Sequence, residues 1–315
     1  MPADSPFRSA AATDTGMLRE HNEDRYFIDA ARGVFLVVDG VGGHAAGELA
    51  AQTAVDAIKE TFAANERRVS KSGETARMIP GGAPCATERV RAAIAAANNR
   101  IFHLAASDGA RKGMACVLTL AVVEDGQITV GHVGDSRLYL IWKGAIRKLT
   151  SDHSPVGQDE DAGELTEAEA MRHPRRNEVY RDVGTRPRQA EDAGFIEIRT
   201  CRFHRDAAIL LCSDGLTDHL SSGLVREIVE RYDGDAERVA NELVEAANGA
   251  GGRDNITALF VAGPEFRGRS AVTRPRASTT RFRPPRAAFT GRAAFLMYGL
   301  LLGMLMWAVL RGVRG

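Results

Sequence analysis

The sequence predicts an α+β sandwich in which strand pairs are flanked by helix pairs. Three observations carry that expectation. Short apolar runs end in Asp-Gly, as in "GVFLVVDG" (33–40) and "AAILLCSDGL" (207–216), which marks buried strands closed by turns. Two Ala-rich segments with helical spacing follow one another early in the chain, and a second helical pair lies near its residue 240. The strands also arrive in pairs, which argues against a parallel βαβ series.

Taken in order, "GVFLVVDG" is a buried strand, and "AGELAAQTAVDAIKETFAA" places Leu49, Thr53, Ile58 and Phe62 on roughly one face of a helix. "ERVRAAIAAANNRIFHLAA" is the second helix, and the polar, Gly/Pro-bearing "NERRVSKSGETARMIPGGAP" between them is a loop. "ACVLTLAVVED" and "QITVGHVGDSRLYLIWKG" read as a hairpin turning at Asp125-Gly126. "FIEIRTCRF" and "AAILLCSDGL" read as another strand pair joined by "HRD". "SSGLVREIVERYDGDAERVANELVEAANGAG" gives two helices, with Ser221 or Ser222 as N-cap, and "NITALFVAG" is the closing strand.

The 315-residue chain is 44% hydrophobic and 26% charged, an ordinary globular composition. Its zero net charge hides an asymmetry. Ten of the 41 basic residues, all Arg, lie beyond residue 265 with no acidic residue among them, so residues 1–265 carry about −10. A domain of that sign is not expected to bind nucleic acid. The four Cys form no CxxC pair, and Cys116, Cys201 and Cys212 sit in or beside strand-like runs, where a thiol acts as a small hydrophobe. "MPADSPFRSAAATD" has no apolar signal segment, so a reducing, cytosolic setting is expected for the domain.

The domain is expected over residues 8–262. Residues 263–292, rich in Arg, Pro, Ser and Thr, read as a basic disordered linker. Ala293–Leu310, "AAFLMYGLLLGMLMWAVL", then carries no charge over 18 residues. At 1.5 Å per residue that is roughly 27 Å, enough for the core of a bilayer. A single-pass transmembrane helix in the inner membrane is expected, and eight Arg before it against Arg311 and Arg314 after it place the domain in the cytosol. Gly299 and Gly303 have GxxxG spacing, a dimer face in some spans and ordinary membrane-helix glycine in others.

Function is written in acidic residues at strand ends. Asp39 closes one strand and Asp214 another, each followed by Gly; Asp254 precedes the last strand, Asp135 lies in "HVGDSR", and "REHNEDRY" holds Arg19, Glu23 and Asp24. DGxGG alone is equally an ordinary strand–turn–helix corner, and the absence of GxGxxG or Gly-Lys-Ser/Thr excludes a dinucleotide or P-loop site. Carboxylates gathered at several strand rims repel one another unless a hard cation neutralises them, and all-oxygen ligands suit Mg²⁺ or Mn²⁺.

In this order the stretches "RxxNED", "VVDGxGGHxxGE", "VGDSRxYL", "LTSDHS", "HPRRN", "LLCSDGL" and "GGRDNIT" resemble the metal-dependent serine/threonine protein phosphatases of type 2C, bacterial branch. The resemblance spans about residues 8–262. It implies two antiparallel sheets between helix pairs and hydrolysis of phosphoserine and phosphothreonine by metal-activated water. It further implies Mn²⁺ or Mg²⁺, two ions with a possible third, a cognate Ser/Thr kinase whose work is reversed, and phosphoproteins as substrates. Asp39 would bridge two metals; Glu23 and the Gly40 carbonyl would serve one, and Asp214 and Asp254 the other. Asp24 would hold metal-bound water, Asp135 with Asp214 would serve the third ion, and Arg19 would clamp the phosphate. "SPVGQDEDAGELTEAEAMRHPRRN" corresponds to a mobile flap beside the site.

The sequence departs from the family in places. Val41 stands where animal and plant members carry a His, with His44 three residues on; "ACV" (115–117) replaces "GTT"; and "RDVG" replaces "RALG", adding Asp182. His153 in "SDHS" reads as a structural hydrogen-bonding residue, and Asp135 also as a plain turn cap. Two rival readings stay open: an inactive phosphoprotein-binding module of the same fold, and another two-metal phosphate hydrolase at the membrane.

Overall fold

The computed structural model describes residues 6–43, 45–72 and 84–269, without side chains over 65–72. Contacts divide the chain into Met1–Thr273 and Arg274–Gly315. The second unit, with most of the expected linker and all of the expected span at 293–310, lies outside the described residues. Among the described residues no helix is long and apolar enough to cross a membrane.

Among the described residues ten strands form two antiparallel sheets. In chain order come β1 (Arg8–Asp14), β2 (Arg25–Asp29), β3 (Val34–Val41), α1 (Ala45–Ser72) and α2 (Ala86–Ala106). Then follow β4 (Ala115–Glu124), β5 (Gln127–Val133), β6 (Arg137–Trp142), β7 (Ala145–Lys148), α3 (Pro155–Ala162) and α4 (Glu167–Ala170). The last are β8 (Glu197–Arg202), β9 (Ala207–Cys212), α5 (Asp214–Thr217), α6 (Ser222–Val229), α7 (Ala236–Gly249) and β10 (Ile256–Ala262). One sheet has the order β1-β10-β9-β6-β7 and the other β2-β3-β4-β5-β8.

Strand alternation builds the layers. In β3, Phe35 and Val37 face the other sheet and pack with Ile209, Leu211, Leu259 and Val261. Val34, Leu36 and Val38 point the opposite way, toward Ile58, Phe62, Ile94 and Ile101 of α1 and α2. On the far side Val229, Val239 and Leu243 of α6 and α7 cover Leu210 and Phe260. Each such side chain contributes roughly 1.5–3 kcal/mol on burial, so three stacked cores hold the strand ends in place.

Several details differ from the sequence expectation. "QITVGHVGDSRLYLIWKG" is two strands in different sheets, because Gly134 (φ 112°) breaks the run between β5 and β6. β8 and β9 likewise belong to different sheets, so "HRD" is a crossing and not a hairpin turn. The Asp125-Gly126 hairpin stands, both residues having positive φ as a type I′ turn requires. Helix α1 continues to Ser72, into the stretch read as loop. Residues 263–269 pack onto the domain: Phe266 is buried against Tyr232 and Phe260, and Gly268 donates its N–H to the Tyr232 carbonyl at 3.1 Å.

Candidate active site

The carboxylates meet at one end of the sandwich because two glycines let three segments touch. A Cβ on Gly40 would collide with the Gly47 carbonyl, and one on Gly47 with the Glu23 carboxylate. The end of β3, the start of α1 and the β1–β2 loop therefore close on one another, bringing Glu23 beside Gly40. Gly215 plays the same part at the other strand end, where a Cβ would strike the Asn255 carbonyl. Asn255 then ties the loop down: its Oδ1 accepts from the Glu23 N–H at 2.8 Å, and its Nδ2 donates to the carbonyls of Thr15 (2.9 Å) and His21 (2.8 Å).

Asp24 is buried, and its Oδ2 accepts from the hydroxyls of Ser213 and Thr257, each at 2.7 Å, while Oδ1 has no partner. Burial raises its pKa to about 6, against the pull of both hydroxyls and with Asp254 adding to the rise. Burial pushes Asp39 well above the usual carboxylate range, and Asp24, Asp214, Asp135 and Asp254 push it further. Asp214 is raised in the same way by burial and then by Asp135, Asp218, Asp254 and Asp24; its Oδ1 is also buried and unpartnered. Asp135 is lifted to about 7 by burial and by Asp152. Arg19, half in solvent, places Nη2 2.7 Å from Asp254 Oδ2.

Repelling carboxyls with orphaned buried oxygens fit divalent cations. Their all-oxygen donors suit a hard ion that keeps part of its water. Among the described residues, the one group of three His, Cys, Asp or Glu close enough to share a single ion is His132, His153 and Glu197. Its ring nitrogens are already engaged. His132 Nδ1 faces the Thr119 hydroxyl (2.9 Å), its Nε2 donates to the Gly134 carbonyl (2.9 Å), and His153 Nδ1 accepts from the Gly134 N–H (3.0 Å). The two rings thus grip Gly134 and set the position of Asp135, one residue on. Burial and then His153 lower the His132 pKa to about 4, which keeps that ring neutral.

The flap segment is anchored through charge. Arg137, nearly buried in β6, donates to Asp152 Oδ2 (2.6 Å) and to Glu160 Oε2 (2.7 Å) of α3, and Arg176 pairs with Asp218 at 2.7 Å. Asp135, Arg176, Asp214 and Asp218 line one narrow cavity between core and flap.

The structure therefore brings Glu23, Asp24, Asp39, Gly40, Asp135, Asp214 and Asp254 to one end of the fold, with Arg19 at the rim. His44 lies outside the described residues, and Val41 is exposed. Sequence reasoning passed over Ser213, Thr257, Asn255, His132, Asp218 and Arg137. Asp218 was within reach of it, four residues after Asp214 and so one helical turn away.

A family model described as Protein phosphatase 2C matches residues 19–249. The chain belongs to this family. It is a protein serine/threonine phosphatase, metal-dependent like the family. It is 34% identical over 256 residues to the serine/threonine phosphatase stp of Listeria monocytogenes, covering 79% of this chain and 93% of that one. The Mycobacterium tuberculosis serine/threonine phosphatase PstP/Ppp superposes with a TM-score of 0.67 at 28% identity, covering 81% of this chain and 98% of that one. A catalytic domain of PstP in complex with two manganese ions superposes with a TM-score of 0.65 at 28% identity, covering 81% and 97%.

Proposed function

We infer that this phosphatase hydrolyses phosphoserine and phosphothreonine in proteins by direct attack of water, with two divalent cations held by Asp39, the Gly40 carbonyl, Glu23, Asp214 and Asp254. Asp135 with Asp214 is the place for a third. The observation that carries the reading is the pair of orphaned buried oxygens, Asp24 Oδ1 and Asp214 Oδ1, inside a ring of mutually repelling carboxyls.

Bound cations would supply a water of lowered pKa and polarisation of the phosphoryl oxygens. The chain's own residues supply orientation. Asp24, fixed by Ser213 and Thr257, keeps Oδ1 as an acceptor for the attacking water's proton. Arg19 has a planar fork at the rim that can exchange Asp254 for two phosphoryl oxygens and match their developing charge. Burial pushes the Cys212 thiol up to about 12 and the Cys116 thiol higher still, so neither serves as a thiolate nucleophile at neutral pH.

Asp39→Asn or Asp214→Asn should lower kcat/KM on a phosphothreonine peptide by more than roughly a hundredfold, beyond the loss typical of outer-shell changes at metal sites. Both should weaken Mn²⁺ binding measured by calorimetry, and EDTA should abolish turnover until Mn²⁺ is restored. Full activity in either variant, or turnover of phospholipid but of no phosphopeptide, sinks the reading. We further propose that Ala293–Leu310 anchors the chain in the inner membrane with the domain in the cytosol, where it reverses a Ser/Thr kinase. The uncharged span and the Arg excess before it support this.

A further inference from the structure

One strand beyond the β3 and β4 pair, the loop that follows the flap carries a cationic pocket that the chemistry above does not use. Cys116 pairs with Gly40 on one side and forms a two-hydrogen-bond bridge with Val183 on the other. Two inter-strand steps put Val183 about 10 Å from Gly40. On either side of it in the chain, Tyr180, Arg181, Asp182, Thr185, Arg186 and Arg188 line a cavity of about 300 Å³. Three guanidinium groups against one carboxylate give it a net positive charge, on a domain whose total is negative.

The pocket is built rather than incidental. Two adjacent Asn of α2 hold its loop through four hydrogen bonds. Asn98 accepts from the Gly184 N–H (2.8 Å) and donates to the Arg186 carbonyl (2.9 Å). Asn99 donates to the Arg188 carbonyl (2.8 Å) and accepts from its N–H (2.9 Å). Asn98 is buried, a position where an amide is retained only with its partners in place. The guanidinium groups are weakly neutralised. Arg188 reaches Asp192 only at 4.0 Å and lies over the Phe195 ring; Arg181 contacts the His153 ring and lies over Tyr180. Among the described residues no carboxylate stands within ion-pair distance of Arg186, which is exposed.

We propose that Arg181, Arg186 and Arg188 bind an anionic group of the phosphoprotein substrate, a carboxylate or a second phosphoryl, carried about three residues from the one being hydrolysed. The spacing is set by the two inter-strand steps between Gly40 and Val183: an extended peptide advances roughly 3.3 Å per residue, so about three residues match that separation. The planar fork of Arg suits either oxyanion. The proposal rests on the phosphoprotein reading above and adds to it a basis for choosing among substrates.

Three phosphothreonine peptides test it, alike except for a neutral residue, a Glu or a phosphoserine three positions away, on either side. The full chain should favour the Glu and phosphoserine peptides over the neutral one by roughly three- to tenfold in kcat/KM, through KM, with the gain shrinking in high salt. A larger gain for phosphoserine than for Glu identifies a second phosphoryl as the preferred group; equal gains identify any anion. Arg186→Glu with Arg188→Glu should invert the preference toward a peptide carrying Lys at that position. That ratio is taken within one variant, so a partial loss of folded protein does not affect it. Binding of the unphosphorylated Glu peptide, followed by fluorescence anisotropy, should weaken in the same variant. It reports on the pocket even if no phosphopeptide is turned over, which separates failure of the docking from failure of the phosphatase reading. Equal kcat/KM for all three peptides, or a preference unchanged by charge reversal, overturns the proposal.

Discussion

Asp24 and Asp135 hold protons to about pH 6 and about pH 7 in the cation-free chain, whereas an unfolded Asp ionises near 3.9. Between those values the folded chain binds more protons than the unfolded one, so these groups cost stability as pH rises from about 4 to 7. On the proposed reading these carboxylates are kept for bound cations, at the expense of the cation-free fold. Asp135→Asn should therefore unfold at a higher temperature than wild type in EDTA at pH 7.5, and at nearly the same temperature at pH 4. With saturating Mn²⁺ the order at pH 7.5 should narrow or reverse. A variant less stable than wild type in EDTA at both pH values would mean that Asp135 acts as a turn cap and not as a strained ligand. Val41 bears on the other half of the reaction. An alkoxide needs a proton to leave and an aryl oxide does not. Val41→His should thus raise seryl-phosphate turnover more than aryl-phosphate turnover, and equal effects would remove any acid role for that position.

At the level of elements, what could be read in the sequence was whatever the local pattern decides. β3, α2, α7 and β10 are long or strongly periodic, and Asp-Gly at the ends of β3 and β9 marked both the turns and the clustered carboxylates, since glycine is required for the contacts there. β1 was not readable: "RSAAATD" is made of small residues and becomes a strand only by pairing with β10, far along the chain. Nor was the switch of sheets at Gly134, because an apolar run looks the same whether or not it bends. The Arg137, Asp152 and Glu160 cluster joins β6 to the flap helix α3 across a distance no periodicity reports. Arg137→Met should remove about 3–5 kcal/mol of stability, because it strands two largely buried carboxylates with only Lys148 near them. Denaturant unfolding gives that number, and limited proteolysis should show faster cleavage between residues 155 and 176. A loss under about 1 kcal/mol would class the cluster with exposed ion pairs.

For the whole molecule the question is where the catalytic unit stops and what the Arg-rich tail does. The packed unit does not end with β10. Gly263 donates its N–H to the Ala207 carbonyl (2.9 Å), Glu265 pairs with Arg205, and Phe266 fills a slot beside Tyr232 and Phe260. A chain ending at Ala262 should thus be less stable than one ending at Arg269 by about 3 kcal/mol, the usual cost of losing a buried Phe, although both keep every carboxylate proposed to hold metal. Both should turn over a free phosphopeptide at low temperature, with the shorter one failing first on warming. Equal melting temperatures would mean that Phe266 covers the domain without supporting it. The chain ending at Arg269 is then the reference for the proposed anchor, since it lacks residues 293–310 and keeps the described domain. If residues 293–310 hold the enzyme at a membrane, the full chain should sediment with membranes and the shorter chain should not. The two should match on free peptide, and the full chain should be faster on membrane-bound phosphoproteins, because tethering raises effective concentration. The cytosolic orientation we propose rests on the Arg excess before residues 293–310, which favours the cytosolic face and its anionic lipids. Protease added outside intact cells should leave the domain whole and should cut it once the membrane is opened. Digestion from outside would place the phosphatase on the opposite face, away from the kinase it is proposed to oppose.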